Sequence, residues 1–306
     1  MRIEYSARSH VGKVRENNED NLFVDGTILP AGIGVRPFAI DGCAGSPAIF
    51  AVCDGMGGES DGEMASRLAV ETLLEHQEQI KDAKPKLLDA EVQSYVTHAS
   101  QTIVLKTPVG KRSGTTLALT VISKHGLHCF NVGDSRIYIE WRGKLRQITH
   151  DHTVAVDLLR ANKGQFVQAP KNGHKLTRCM GIGKLPEVEV YPALPPKGRL
   201  LICSDGLTKM MRPEEIGRVL EAAPCTAEAA DVLLRTALRR GGRDNITLIV
   251  LATQRFGPLF LSGNRETDAQ ALRQLEKDMY GQGLGGPQPQ TAHIAENTQE
   301  RDMNDG

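Results

Sequence analysis

The sequence predicts an α+β fold in which two antiparallel sheets are covered by helices, and three observations lead there. Strand-length apolar runs follow one another between residues 116 and 148, with turns too short for a crossover helix. Helical patterns come in pairs rather than singly between strands. In Arg136–Trp141, Ile137, Ile139 and Trp141 alternate with Arg136, Tyr138 and Glu140, the period of an antiparallel strand with one solvated face.

The first strand is expected over Ile3 to Ser9 and a short one at Leu22-Phe23-Val24, closed by Asp25-Gly26 as a tight hairpin turn. From Gly26 to Pro47 the chain is rich in Gly and Pro and reads as a long loop or irregular hairpin. Ile49 to Cys53 is a buried strand ending on Asp54-Gly55, with further glycines at 57 and 58 that let the backbone turn sharply and be approached closely. Ser60-Asp61-Gly62-Glu63 is a capping box, and Ala65, Leu68, Ala69 and Leu73 continue as a helix. A second helix is expected from Pro85, with Leu88, Val92, Tyr95, Ala99 and Ile103 on one face; both helices pack on a sheet.

Four strands follow at 116–123, 127–132, 136–141 and 144–148, with Lys124-His125-Gly126 and Arg142-Gly143 as hairpin turns. A short helix holds Val154, Leu158 and Leu159, with Asp151 as its cap between partly buried histidines 150 and 152. Beyond it lies a polar stretch, Asn162 to Lys175. Leu200 to Cys203 is a strand ending on Ser204-Asp205-Gly206, and helices are expected from Pro213 to Leu220 and Thr226 to Leu238. The last strand, Ile246 to Leu251, follows Arg243-Asp244-Asn245, and the folded region ends near Thr253. Glu266 to Tyr280 has a weak helical pattern, and 281–306 is expected to be disordered.

At 306 residues the chain holds two domains or one large β-rich one. Lys+Arg 37 against Asp+Glu 37 balances to zero, which argues against a nuclease and against nucleic-acid or anionic-membrane partners. With no apolar signal core and no run of membrane-span length, a cytoplasmic protein is expected. The six cysteines are scattered without a C-x-x-C pair and read as reduced core residues.

Carboxylates recur at strand ends: Asp54, Asp205 about 150 residues later, Asp244, and the Glu19-Asp20 pair before Leu22. Four such ends can converge on one spot. With the amide of Asn245 and the carbonyl of Gly55 they form an all-oxygen set without sulfur, suited to magnesium or manganese. Two such ions about 3.5 to 4 Å apart share and activate a water for attack on phosphorus. Arg15, near Asp20 in sequence, is the candidate to hold the phosphoryl oxygens.

Gly12 to Asp20, Asp54-Gly55-Met56-Gly57-Gly58, Ser113-Gly114-Thr115-Thr116, Asn131-Val132-Gly133-Asp134-Ser135-Arg136, Ser204-Asp205-Gly206-Leu207-Thr208 and Gly242 to Thr247 resemble, in order, the motifs of the bacterial metal-dependent protein phosphatase 2C family. The resemblance covers about residues 1 to 253. It implies a β-sandwich flanked by helices, a catalytic domain over 1–256 with a tail over 257–306, and hydrolysis of phosphoserine and phosphothreonine without a covalent intermediate. It makes Asp20, Asp54, Asp205 and Asp244, with the Gly55 carbonyl, the holders of two core manganese or magnesium ions, and counts Asp20 as catalytic. Asp134 with Asp205 would hold a third, weaker ion; Arg15 would bind the substrate phosphate; Asn245 and Glu19 would support the site. The 162–175 stretch falls at a flap, where His174 is a candidate contact and Arg178 is evenly balanced between a contact and a plain surface arginine.

A monomeric phosphatase is implied, with phosphorylated protein substrates and a cognate Ser/Thr kinase to oppose. A pseudophosphatase that binds without turnover is the alternative. Departures are Glu59 where bacterial members usually have His, Met56 where eukaryotic members often have the general-acid His, and a flap without the usual basic run. Leaving-group protonation then falls to a water on the metal. The stretch 26–47 and the tail look like additions, and Arg136 is assigned to the solvated strand face.

Overall fold

The structure, a computed structural model, describes residues 1–57, 61–162, 170–195 and 198–253. In chain order the strands and helices are β1 (Arg2–His10), β2 (Asp20–Val24), β3 (Thr27–Ile28), β4 (Phe38–Gly45), β5 (Ala48–Met56), α1 (Asp61–Asp82), α2 (Leu88–Lys106), β6 (Gly114–Thr115), β7 (Leu117–Ser123) and β8 (Gly126–Val132). They continue as β9 (Arg136–Trp141), β10 (Lys144–Gln147), α3 (Val154–Ala161), β11 (Glu189–Leu194), β12 (Arg199–Cys203), α4 (Asp205–Thr208), α5 (Pro213–Ala222), α6 (Thr226–Arg239) and β13 (Ile246–Thr253). One sheet runs β10-β9-β12-β13-β1-β4 and the other β11-β8-β7-β5-β2-β3, with β6 paired to β5; every pairing is antiparallel.

Each strand of the two cores divides its side chains by period two. In β5, Ile49, Ala51 and Cys53 join Leu73 and Ile80 of α1 and Tyr95 and Ile103 of α2 in one buried cluster. Phe50 and Val52 therefore face the opposite sheet, where the Phe50 ring meets Tyr5 of β1 at 6.0 Å. In β12 and β13, Leu201, Cys203, Leu248 and Val250 pack under α5 and α6 with Ile216, Leu220 and Leu233. The order is helices, sheet, sheet, helices. Full burial of Phe23, Phe50 and Phe130 contributes roughly 1.5 to 3 kcal/mol each.

Several expectations are corrected. The stretch 26–47 is not a loop throughout, since Phe38–Gly45 is a regular edge strand paired with β1 from Arg2 opposite Gly45 to Ser9 opposite Phe38. The second face of β9 is not solvated: Tyr138 and Glu140 are buried, and Tyr138 belongs to the cluster under the helices. Arg136 is likewise covered, its guanidinium gripping both oxygens of Asp151 at 2.8 and 2.6 Å. Asp151 is thus not a helix cap; Thr153 is, its hydroxyl accepting from the Val156 N–H. The second helix begins at Leu88, with Pro85 in the turn before it. Cys43 and Cys225 are exposed rather than core residues, although all six cysteines are free thiols.

Asp25 and Gly26 form the expected hairpin turn between β2 and β3, with φ 44° and 97°. The capping Ser60, the departure at Glu59 and the tail lie outside the described residues, as do residues 163–169 of the 162–175 stretch. Among the described residues no helix is long and apolar enough to cross a membrane.

Candidate functional site

The period that sorts the core also aims the carboxylates. Counting on by two from Phe50 and Val52, Asp54 points between the sheets, and β5 continues past it to Met56. Asp20 stands directly opposite Asp54 in the β2–β5 register, so both carboxyls lie side by side on one face. On the facing sheet the same parity carries Leu200 and Ile202 on to Ser204, whose hydroxyl donates to Asp20 Oδ2 at 2.7 Å across the gap. Asp205 opens α4 just beyond β12, and Asp244 lies just before β13. Asp134 sits in the link from β8 to β9, which passes from one sheet to the other.

Backbone contacts fix these positions. Thr116 Oγ1 accepts from the Asp54 N–H at 2.9 Å, and Thr115 Oγ1 donates to the Asp54 carbonyl at 3.0 Å, which gives the Ser-Gly-Thr-Thr motif a clamp role. A Cβ on Gly55 would collide with the carbonyls of Gly62 and Glu19, so only glycine fits there. Asn245 spends its whole amide on the segment bearing Arg15: Oδ1 accepts from Glu19 N–H at 2.8 Å, and Nδ2 donates to the carbonyls of Val11 at 2.9 Å and Asn17 at 2.8 Å. These bonds make it a residue that holds this segment in place.

Arg15, Glu19, Asp54, Asp134, Asp205 and Asp244 line one cavity of about 990 Å³, with Gly55 and Asn245 beside them. Asp20 lies buried behind it. His174 and Arg178 do not line it; His174 is exposed, and Arg178 donates to the Glu187 carbonyl at 3.4 Å. Leu176 is the neighbour that does reach the cavity. Sequence reasoning passed over Lys209, which bonds Asp205 at 2.6 Å and Asp244 at 2.7 Å; its position four residues after Asp205 was the available signal. Also unforeseen was His152, whose Nδ1 accepts the Gly133 N–H at 3.0 Å while Nε2 meets Glu189 at 2.6 Å, fixing the turn that carries Asp134.

The electrostatics are those of a site short of positive charge. Burial, then Asp205 and Asp244, push the Asp20 carboxyl up to about 7 against the opposing Ser204 bond. Burial and Asp205 likewise push Asp134 to about 7, and Asp54 is raised well above its ordinary value by burial and Asp20. Burial would raise Asp244 too, but Lys209 and Arg15 hold it low. Glu19 Oε1, Asp20 Oδ1 and Asp205 Oδ1 are buried with no hydrogen-bond partner. Such oxygens fit a divalent cation, which satisfies them and supplies charge. Among the described residues no three such side chains already close on one point, and two of the carboxylates, Asp205 and Asp244, are engaged by Lys209 and Arg15.

A pH dependence follows for the metal-free protein. Asp20 and Asp134 have folded values near 7 against an ordinary 3.8, so the folded state retains protons that the unfolded chain has lost. The stability this gives is complete below about pH 4 and fades as pH rises through about 7. Melting in EDTA is expected to drop between pH 5 and pH 8, while manganese, by supplying counter-charge, opens a gap that widens with pH. A gap constant across that range contradicts the assignment of these carboxyls to a cation site.

Comparison with known proteins gives a consistent set. The family model described as protein phosphatase 2C matches residues 38–240. A serine/threonine phosphatase, Stp, of Listeria welshimeri is 30% identical over 256 residues, 80% of this chain and 93% of that protein. The protein phosphatase PstP of Mycobacterium tuberculosis is 32% identical over 255 residues, 81% of this chain but 44% of its own length. A crystal structure of M. tuberculosis PstP superposes with TM-score 0.63 at 30% identity, covering 82% of this chain and 99% of that one. A PstP catalytic domain in complex with two manganese ions superposes with TM-score 0.61 at 31% identity, covering 82% and 98%.

Proposed function

The chain belongs to the protein phosphatase 2C family and is a metal-dependent protein serine/threonine phosphatase, and we propose that its aspartate-lined cavity carries out the hydrolysis. Asp20, Asp54, Asp205 and Asp244, with the Gly55 carbonyl, would hold two manganese or magnesium ions. When bound, such ions activate a water and polarise the phosphoryl group. The observation that carries this reading is the set of buried carboxylate oxygens without partners at the meeting point of the two sheets.

The protein's own groups have separate tasks. Arg15, half exposed at the cavity mouth with Nε on Asp244 at 2.8 Å, takes the phosphoryl oxygens of the substrate. Asn245 fixes the loop that presents it. Ser204 and Thr116 keep Asp20 and Asp54 in place from opposite sheets. The catalytic domain is assigned to 1–256, with 257–306 outside it. Phosphorylated proteins, opposition to a cognate Ser/Thr kinase, a monomeric state and a cytoplasmic location complete the proposal. Six unpaired cysteines support a reducing compartment.

Release of phosphate from a phosphothreonine peptide is expected only with added manganese or magnesium, and Arg15→Ala is expected to raise KM roughly ten- to a hundredfold with kcat little changed, as loss of a charge-assisted contact of ~1.5 to 3 kcal/mol. Activity that survives exhaustive EDTA dialysis counts against the metal. Tight peptide binding without turnover would make the chain a pseudophosphatase.

A further inference from the structure

Lys209 lies one helical turn beyond Asp205, and its ammonium is held by two carboxylates whose positions are far apart in sequence: Asp205 Oδ2 at 2.6 Å and Asp244 Oδ2 at 2.7 Å. Both partners are mostly covered, with side chains 21% and 17% exposed. Lys209 is itself 47% exposed, so it is the meeting of two covered carboxylates on one ammonium, and not its burial, that sets it apart. Its charge also reaches Asp134, where it opposes the burial that raises that carboxyl. By the family resemblance Asp134 with Asp205 would hold a third divalent ion, and Lys209 already stands on one of them.

We infer that the Lys209 ammonium is the site's built-in third cation, standing on Asp205 in place of a third divalent ion, so that the chain takes up two ions and not three. The ground for this is local: at Asp205, and within reach of Asp134, one ammonium already supplies positive charge where a third divalent ion would otherwise have to sit. A third divalent ion would add two more positive charges to the same cavity, beside an ammonium that cannot leave the chain. Lys209 also competes with the core ions for Asp205 and Asp244, which sets a limit on their affinity.

The inference rests on the reading that these aspartates hold metal, and a binding count separates the two. Manganese binding to the full chain is measured by calorimetry and equilibrium dialysis for the wild type, Lys209→Met, Lys209→Asp and Lys209→Arg. The expected result is two ions for the wild type and Lys209→Arg, three for Lys209→Asp, and core ions bound about five- to tenfold tighter in Lys209→Met. Three ions on the wild type overturn the inference and leave the metal site standing. So does an unchanged count and affinity in both Lys209→Met and Lys209→Asp. No manganese bound to any form overturns both. Lys209→Arg, which keeps the charge, maintains a readout should the neutral variant fail to fold.

Discussion

Asp205→Asn is expected to lower kcat about a thousandfold or more while leaving the fold intact. The carboxyl is assigned to the core ions, and one of its oxygens is buried with no hydrogen-bond partner. An amide fills nearly the same space but brings no charge and turns one oxygen into a donor. The carboxyl is also costly to the metal-free fold, since burial raises it despite Lys209. Its amide should therefore melt in EDTA at the wild-type temperature or above. Loss of turnover without loss of stability marks a group kept for chemistry. Steady-state kinetics at fixed manganese with melting in EDTA test both halves, and a near-normal kcat would remove Asp205 from the site.

The second large effect is on stability, at Asp151→Ala. Arg136 donates to Asp151 through Nε at 2.8 Å and Nη2 at 2.6 Å, and to the Tyr138 hydroxyl through Nη1 at 3.0 Å, with side chains 27% and 13% exposed for Arg136 and Asp151. Removing the carboxylate leaves the guanidinium mostly desolvated and unpaired, which costs about 2 to 4 kcal/mol after discounting for the residual exposure. For a domain of this size the melting temperature drops by about 5 to 15 °C. The double variant Arg136→Met with Asp151→Leu should recover most of the loss, because the penalty comes from the orphaned charge. A single variant that melts within a degree or two of wild type contradicts this account. Asp151 also precedes His152, the holder of the Asp134 turn, so manganese affinity is expected to weaken with it.

Much of the site could be read because strand-end carboxylates are a local signal: Asp54 and Asp205 each follow an apolar run and precede glycine. The convergence of Asp20 on Asp54 needed only the strand register. What escaped depended on distant partners. Phe38–Gly45 looked irregular because Gly42 and Gly45 dilute its pattern, and an edge strand needs only one paired neighbour, here β1. The polar face of β9 looked solvated because period-two alternation marks two faces without saying what covers either. Its cover, α5 and α6, begins about 70 residues later. Lys209 went unnoticed because one of its two partners, Asp244, is distant in sequence. Asp151 read as a helix cap because its partner, Arg136, is out of reach of a local reading.

The place of β1 between β4 and β13 has a consequence for biogenesis. Ile3 faces Thr253 and His10 faces Ile246 along that pairing, so β1 waits for the much later β13 before its sheet can close. Asp244 and Asn245 arrive in the same final segment, and Asn245 is what holds the loop bearing Arg15. On the proposed roles of Asp244 and Asn245, a nascent chain stays without phosphatase activity until its synthesis has passed β13.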